Sequence, residues 1–196
     1  CSVLVTTREA AVARACQVPP DDILPMPPTM TKEQARTLLA GGSHSLPEAF
    51  LTIADDVASA VGRLPLALQL AAAQAADGVP WQEIRDNLQI EMARLETLDL
   101  PGADELEDPH LARQQSLLAS LSISFRRLPA DRRRRLVQLG VLRSASVVLP
   151  AAAAVLWAVD ERAARDGLRY LNGRALLDPW GSTGFKLHNT VHALAR

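Results

Sequence analysis

The sequence predicts a mainly α-helical protein. Leu, Ala and Val supply most of its apolar residues, and aromatic residues make up only 4% of the chain, a composition that favours helices. Apolar residues recur at helical spacing in one segment after another. One strand–turn–strand pattern stands near the end, over residues 176–187. A hairpin that follows three or more helices indicates a winged helix, so we expect a small helical bundle followed by a winged-helix domain.

Four helices are predicted over residues 31–98, and four helices of this size form a small bundle. They are expected at 32–40, 47–61, 64–76 and 81–95. Thr31 is the expected N-cap of the first helix, and the third, which is almost wholly apolar, is expected to lie at the centre. The predicted buried faces of the second and fourth helices are Phe50, Ile53, Ala54 and Val57, and Ile84, Leu88, Met92 and Leu95.

A winged-helix domain is predicted over residues 111–196, after an acidic linker at 99–110 that contains Pro101 and Gly102. Its helices are expected at 111–125, 130–142, 150–158 and 160–175, and its strands at 176–178 and 185–187. Asp160 is an expected N-cap. Leu136, Val137 and Leu139 are expected to face the interior.

Residues 1–30 are predicted to be the C-terminal edge of an α/β P-loop domain. Residues 2–8 have the apolar, β-branched character of a buried strand. A short helix follows at 9–16, and a short strand is expected around Ile23–Leu24 in a proline-rich segment. Because the chain begins inside a strand and without methionine, we expect it to be part of a longer protein.

Charge is divided unevenly along the chain. Residues 1–109 contain 7 Lys or Arg and 17 Asp or Glu, whereas residues 110–196 contain 14 and 5. The basic half could contact nucleic acid, or acidic and basic surfaces could face each other or other parts of the protein. We favour the second interpretation, because the sign of a charge is a weak signal. We also interpret the run Arg132–Arg135 as mainly solvated, because consecutive residues point around a helix.

Several kinds of chemistry are not indicated. Cys1 and Cys16 are too few for a disulfide framework, and neither has metal-ligand spacing with a histidine. No run of 18 apolar residues predicts a membrane span. No GxxxxGK[ST] loop and no apolar run ending in paired aspartates is present. We therefore expect no catalysis by this chain alone.

Three short motifs follow one another in a fixed order. Residues 4–8 read Leu-Val-Thr-Thr-Arg, residues 62–68 read Gly-Arg-Leu-Pro-Leu-Ala-Leu, and residues 187–189 read Leu-His-Asn. They resemble the sensor-arginine strand, the GLPLAL motif and the Met-His-Asp triplet of NB-ARC proteins, a group of STAND-class signalling NTPases. Residues 121–129 also resemble the segment that opens the winged helix of that family, and the variant with arginine inside GLPLAL is familiar from actinobacterial regulators.

The resemblance implies the regulatory lid of an ADP/ATP switch that controls autoinhibition and oligomerisation. It implies that Arg8 contacts the γ-phosphate, that Pro65 lies against adenine, and that His188 binds the β-phosphate of ADP. Guanidinium and imidazole are suitable donors to phosphate oxygens, and proline can pack on a ring without leaving an unpaired N–H. Asn189 stands where the family has an acidic residue, so we expect weaker closure.

The resemblance also implies parts outside residues 1–196. A nucleotide-binding core of the same protein would supply the phosphate cradle and Mg²⁺, and the whole would be a slow ATPase in the cytoplasm. An effector or repeat domain and a homo-oligomer in the active state are further implied partners, and no membrane is expected. Two alternatives stay open, namely a DNA-binding winged-helix regulator and a nucleotide-independent helical scaffold.

Overall fold

The computed structural model describes residues 6–7, 10–24, 27, 29–41, 46–96, 109–143 and 146–195. Within them the protein is mainly α-helical, as predicted, with one small antiparallel sheet. The helices are α1 (Ala10–Ala15), α2 (Lys32–Leu39), α3 (Glu48–Ala60), α4 (Pro65–Ala76), α5 (Trp81–Glu96), α6 (Pro109–Arg126), α7 (Ala130–Leu139), α8 (Pro150–Trp157), α9 (Glu161–Asn172) and α10 (Asn189–Ala195). The strands are β1 (Val147–Val148), β2 (Leu177–Trp180) and β3 (Gly184–Leu187). None of the helices in the described ranges is long and apolar enough to cross a membrane.

The first thirty residues differ from the prediction in one element. The predicted short helix is present as α1, but Ile23–Leu24 is not a strand, and a 3-10 turn over Pro20–Asp22 precedes it. Prolines just before this pair restrict the backbone and cannot donate to a ladder, and Leu24 is 84% exposed. The strand predicted at 2–8 lies outside the described residues, apart from Thr6 and Thr7.

Helices α2 to α5 form the first core, which we call the bundle core. Thr31 caps α2 as predicted, with its Oγ1 accepting from the Gln34 N–H at 3.2 Å while its own N–H donates to Gln34 Oε1 at 2.8 Å. Helix α4 is buried along one face and not all round as its apolar sequence predicts: Ala67, Leu68, Leu70, Ala71 and Gln74 are buried, whereas Pro65, Gln69 and Ala76 are exposed. Phe50 does not belong to the buried face of α3, because it is 41% exposed. The bundle core contains Ala35, Leu39, Ala54, Val57, Ala58, Val61, Ala67, Leu68, Ala71, Val79, Ile84, Leu88 and Ile123.

Helices α7 to α10 and the sheet form the second core, which we call the C-terminal core. Strand β3 is central, with β1 and β2 antiparallel on either side of it. Sequence reasoning missed β1, because two residues are too short for an alternating pattern. It also placed Val137 inside, whereas Val137 is 44% exposed. The largest fully buried side chains of this core are Leu121, Leu136, Leu139, Leu168, Leu171, Leu176 and Leu177.

Helix α6 belongs to both cores. Leu121 packs in the C-terminal core, Ile123 packs in the bundle core, and Leu117 lies against both. Small residues on α6 permit this close packing, and the buried Ser120 hydroxyl donates to the Ser116 carbonyl at 2.9 Å. Leu70 of α4 reaches the C-terminal core from the other side. The two predicted units therefore share a helix and a packing interface.

Among the described residues, three ion pairs join the acidic half of the chain to the basic half. Arg174 pairs with Asp77 at 2.9 Å, and Arg127 pairs with Glu83 at 3.0 Å. Arg126 pairs with Glu91, whose side chain is only 4% exposed. Acidic and basic surfaces thus face each other inside one molecule, which was the favoured interpretation of the charge split.

The arginine run on α7 is not mainly solvated, contrary to the prediction. The guanidinium of Arg132 lies 4.9 Å from the centre of the Tyr170 ring, Arg133 lies 5.6 Å from Phe125, and Arg135 lies 5.3 Å from Trp157. Arg134 alone among the four is exposed. The prediction failed because long side chains can bend back onto aromatic neighbours, which the order of residues along the helix does not reveal.

Helix α2 is clamped to α3 by a carboxylate that binds two cations. Arg36 donates to both oxygens of Asp55, from Nε at 2.7 Å and from Nη2 at 2.6 Å, and Lys32 Nζ lies 2.9 Å from Oδ2. The hydrogen bonds from Arg36 lower the pKa of Asp55 from its ordinary value of 3.8 to about 2, against the opposing effect of burial.

We expect Asp55→Asn to lower the free energy of unfolding by about 1 kcal/mol at neutral pH, because it removes a two-pronged ion pair. A carboxyl group whose pKa is lowered in the folded state stabilises that state at pH values above its ordinary pKa. This contribution is lost as the pH falls through the pKa that the group has in the folded protein. The gap between variant and wild type should therefore close between its ordinary pKa of 3.8 and about 2. Urea unfolding of Asp55→Asn and wild type across this pH range measures the difference.

Asp56→Asn is the control, because Asp56 is 52% exposed and its nearest cation is 3.9 Å away. A difference in unfolding free energy between Asp55→Asn and wild type that does not change with pH would contradict the role assigned to Asp55.

We expect Arg133→Ala to cost about 1–2 kcal/mol of unfolding free energy. Arg133 Nη2 donates to the carbonyl of Arg126 at 3.0 Å and to that of Leu128 at 3.1 Å, which caps the end of α6. Arg134→Ala removes the same charge from the next, exposed position and should change stability by less than about 0.5 kcal/mol. Chemical denaturation of both variants makes the comparison, and equal losses would show that charge, not capping, matters.

Candidate functional site

Three residues were predicted to contact a nucleotide, and the structure describes two of them. Arg8 lies outside the described residues, so its role stays a prediction. Pro65 and His188 are both exposed, which leaves each side chain accessible to a ligand.

Pro65 is held at the start of α4 by a tight turn. Gly62 and Arg63 both have left-handed backbones, with φ of +62° and +51°, and Arg63 N–H donates to the Ala58 carbonyl at 2.8 Å. The Arg63 carbonyl in turn accepts from Met30 N–H at 3.1 Å, which ties the turn to the segment before α2. Pro65 is then the first residue of α4, where the missing N–H of proline costs no helical hydrogen bond. Its ring is presented at the surface by backbone that is fixed on both sides.

His188 lies between β3 and α10 and caps that helix. Its carbonyl accepts from His192 N–H at 2.8 Å, and its Nδ1 accepts from Thr190 N–H at 3.2 Å. Asn189 is the first residue of α10. Because Nδ1 must be unprotonated to accept this bond, the neutral imidazole carries its proton on Nε2. Nε2–H is then the donor that remains for a ligand.

Helix α10, and with it His188, is positioned by a buried histidine that sequence reasoning missed. His192 is 7% exposed, and its Nε2 donates to the Leu142 carbonyl at 2.7 Å. Gly140, at the end of α7, lies so close to the Ala195 carbonyl that a Cβ there would come within 2.6 Å of the oxygen. No signal in the sequence pairs His192 with Leu142, because fifty positions separate them.

Each of the two exposed residues is next in sequence to a residue that packs in the C-terminal core, namely Leu66 after Pro65 and Leu187 before His188. Leu64, which precedes Pro65, packs instead against the bundle core. Pro65 offers an apolar ring and His188 offers one N–H donor, a combination that can hold a flat ring and an anion. The described ranges contain no group of three or more His, Cys, Asp or Glu side chains that could hold a metal ion.

Comparison with known proteins assigns no family to the chain. No protein-family model matches it, and no curated protein matches it closely enough to count as a relative. The resemblance to NB-ARC proteins therefore depends on the three motifs and on the geometry of the two described residues.

We expect Gly140→Ala to lower the free energy of unfolding by about 1–3 kcal/mol, because the added methyl group meets backbone that must move. Gly173→Ala is a matched control. The two glycines have nearly the same backbone angles, φ −61° and ψ −18° against φ −58° and ψ −15°, but a Cβ at Gly173 meets nothing closer than 3.5 Å. Thermal unfolding measures the stability of both variants against wild type, and amide hydrogen exchange in α10 shows whether this helix has detached from α7. A Gly140→Ala variant as stable as wild type would contradict the close packing of α10 on α7.

Proposed function

We propose that this chain is the regulatory lid of an ADP/ATP-dependent signalling switch of the STAND class. The observation that carries the proposal is the geometry of His188, whose Nδ1 is occupied by the cap of α10 while Nε2–H remains as a donor at an exposed position. A phosphate oxygen is a strong acceptor for such a donor. The orientation of the imidazole is set by the hydrogen bond that its Nδ1 accepts from the Thr190 N–H.

The C-terminal unit supports this proposal as a winged helix. Its elements follow one another as α7, β1, α8, α9, β2 and β3, and the sheet order is β1-β3-β2. Helices α8 and α9 are joined by the three residues 158–160, a connection typical of a helix-turn-helix pair. The β2–β3 hairpin would be the wing, and His188 follows directly after it.

Pro65 supports the adenine part of the proposal. A proline at the first position of a helix has an exposed, stiff and apolar face, and it leaves no N–H unpaired against a base. Leu66, which follows Pro65, and Leu187, which precedes His188, both pack in the C-terminal core. In the proposed closed state one nucleotide would contact both exposed residues, with adenine on Pro65 and the β-phosphate on His188.

The rest of the switch would lie in other parts of the same protein. A core with the phosphate cradle and the Mg²⁺ ligands would complete the site, together with Arg8. An effector or repeat domain, assembly into a homo-oligomer on activation and a cytoplasmic location belong to the same proposal. Asn189 cannot supply the negative charge that the family motif has there, so closure of the lid would depend more heavily on His188.

Binding of DNA is the weaker alternative. Residues 160–187, which include α9 and the hairpin, contain five basic and four acidic residues, whereas DNA-binding surfaces carry a clear positive excess. Three arginines of the run on α7 are stacked on aromatic rings, as described above. A nucleotide-independent helical scaffold would use neither Pro65 nor His188 as a ligand contact.

The test is the nucleotide content of the complete purified protein, measured by chromatography after denaturation. Three proteins should be compared, namely wild type, His188→Ala and His188→Asn. Asparagine is a good N-cap and can still accept from Thr190 N–H, but it replaces the imidazole donor with a shorter side chain. We expect near-stoichiometric ADP in wild type and strong depletion in both variants, with the thermal stability of the α10 region lowered only in His188→Ala.

Two other outcomes would change the conclusion. If His188→Asn retains ADP and His188→Ala loses it, His188 acts only as a helix cap and the β-phosphate contact is wrong. If wild type contains no nucleotide and binds none when ADP is added, the switch is wrong for this protein.

A further inference from the structure

A polar cleft lies at the other end of α4, where three elements meet. Gln74 and Asp77 line it from α4 and its C-cap, Ser124 and Arg127 from the end of α6, and Arg174 from the turn between α9 and β2. Its cavity volume is about 60 Å³. Gln74 follows Pro65 by nine residues, or about 14 Å of helix, so the cleft is separate from the proposed nucleotide contacts.

Gln74 has a buried polar atom with nothing to bind. Gln74 is 6% exposed, and its Nε2 donates to Ser124 Oγ at 3.4 Å. Its Oε1 has no hydrogen-bond partner among the described residues. Buried amide groups are almost always paired, and an unpaired one costs about 1–3 kcal/mol. The amide therefore provides the cleft with an acceptor that requires a donor.

Two guanidinium groups give the same cleft a surplus of donors. Arg127 Nη1 binds Glu83 at 3.0 Å, and Arg174 Nη2 binds Asp77 at 2.9 Å. Each guanidinium has five N–H groups, so these ion pairs use only part of the supply. Arg174 also lies 3.7 Å from the centre of the Tyr170 ring, which holds its plane in one orientation. Each arginine is balanced by one carboxylate, so the cleft would hold an anion through its remaining N–H donors and not through a net positive charge.

We propose that this cleft binds a small oxyanion that carries a hydroxyl group, with hydrogen phosphate as the representative. Its unprotonated oxygens would accept from Arg127 and Arg174, and its hydroxyl would donate to Gln74 Oε1. The cleft is small, with room for roughly two water molecules at their liquid volume of about 30 Å³ each, so only a small ion would fit it. A bound ion would touch α4, α6 and the α9–β2 turn together, and so would hold the bundle against the C-terminal unit.

The first test is thermal unfolding and titration calorimetry of the purified chain with inorganic phosphate, at constant ionic strength. Phosphate should raise the melting temperature in a saturable way. Sulfate has the same shape as phosphate but carries no hydroxyl at neutral pH, so it would leave Gln74 Oε1 unpaired. We therefore expect the affinity for sulfate to be lower than that for phosphate by a factor of about ten or more. Phosphoserine separates two sources of the ligand. Tighter binding than inorganic phosphate would assign the site to phosphate monoesters, and weaker binding would assign it to the free ion.

Gln74→Met tests the amide, because methionine has similar length and no hydrogen-bonding group of comparable strength. It should remove the preference of phosphate over sulfate, whereas Gln69→Met, at an exposed position of the same helix, should leave it unchanged. If Gln74→Met does not fold, Arg127→Gln provides an exposed alternative that should weaken both anions. Equal effects of phosphate and sulfate on wild type would overturn the requirement for a hydroxyl, and absence of any saturable effect would overturn the site.

Discussion

Helix α6 must be buried on two sides, and the arrangement of the whole protein depends on this. Leu121 closes the C-terminal core while Ile123, two residues later, closes the bundle core. Serine and alanine fill the close contacts between them, because larger side chains would push α4 and α5 away. A helix shared in this way cannot act as a free linker. If the two units move relative to each other, α6 must leave one of its cores, so any opening of the proposed lid would have to break contacts that are now buried.

The unequal distribution of charge is explained by the same interface. The acidic bundle and the basic C-terminal unit meet through Asp77, Glu83 and Glu91. Exposed pairs of this kind contribute little individually, about 0–1 kcal/mol. The buried Glu91 is different, because it pairs with both Arg94 and Arg126, and removal of both partners would leave a charge in the interior without compensation. The arginines of the C-terminal half are therefore largely engaged with carboxylates and aromatic rings of the same chain, which leaves less basic surface for nucleic acid.

The two described site residues have structural tasks that agree with the proposed ones. Pro65 begins α4 and His188 caps α10, so each is held by backbone hydrogen bonds and still exposes a ring edge or face. The motifs predicted a nucleotide contact at both positions, which stays a prediction, and they gave no sign of the structural support behind them. The bond from His192 to Leu142 and the close approach of Gly140 to Ala195 join segments that are far apart in the sequence. The Gln74 cleft is of the same kind, because its lining comes from three elements.

By itself, the sequence determined the helical class, most helix positions and the β2–β3 hairpin. These features depend on local chemistry, such as the cap at Thr31, the cap at Asp160 and proline at the first position of α4. The tertiary structure decided which surfaces are covered. Phe50 and Val137 have the apolar character of core residues yet lie exposed, and three arginines expected in solvent stack on rings. Strand β1 exists only because β3 lies beside it. In each case the outcome depends on a neighbour distant in the chain, and spacing along the chain contains no record of that neighbour.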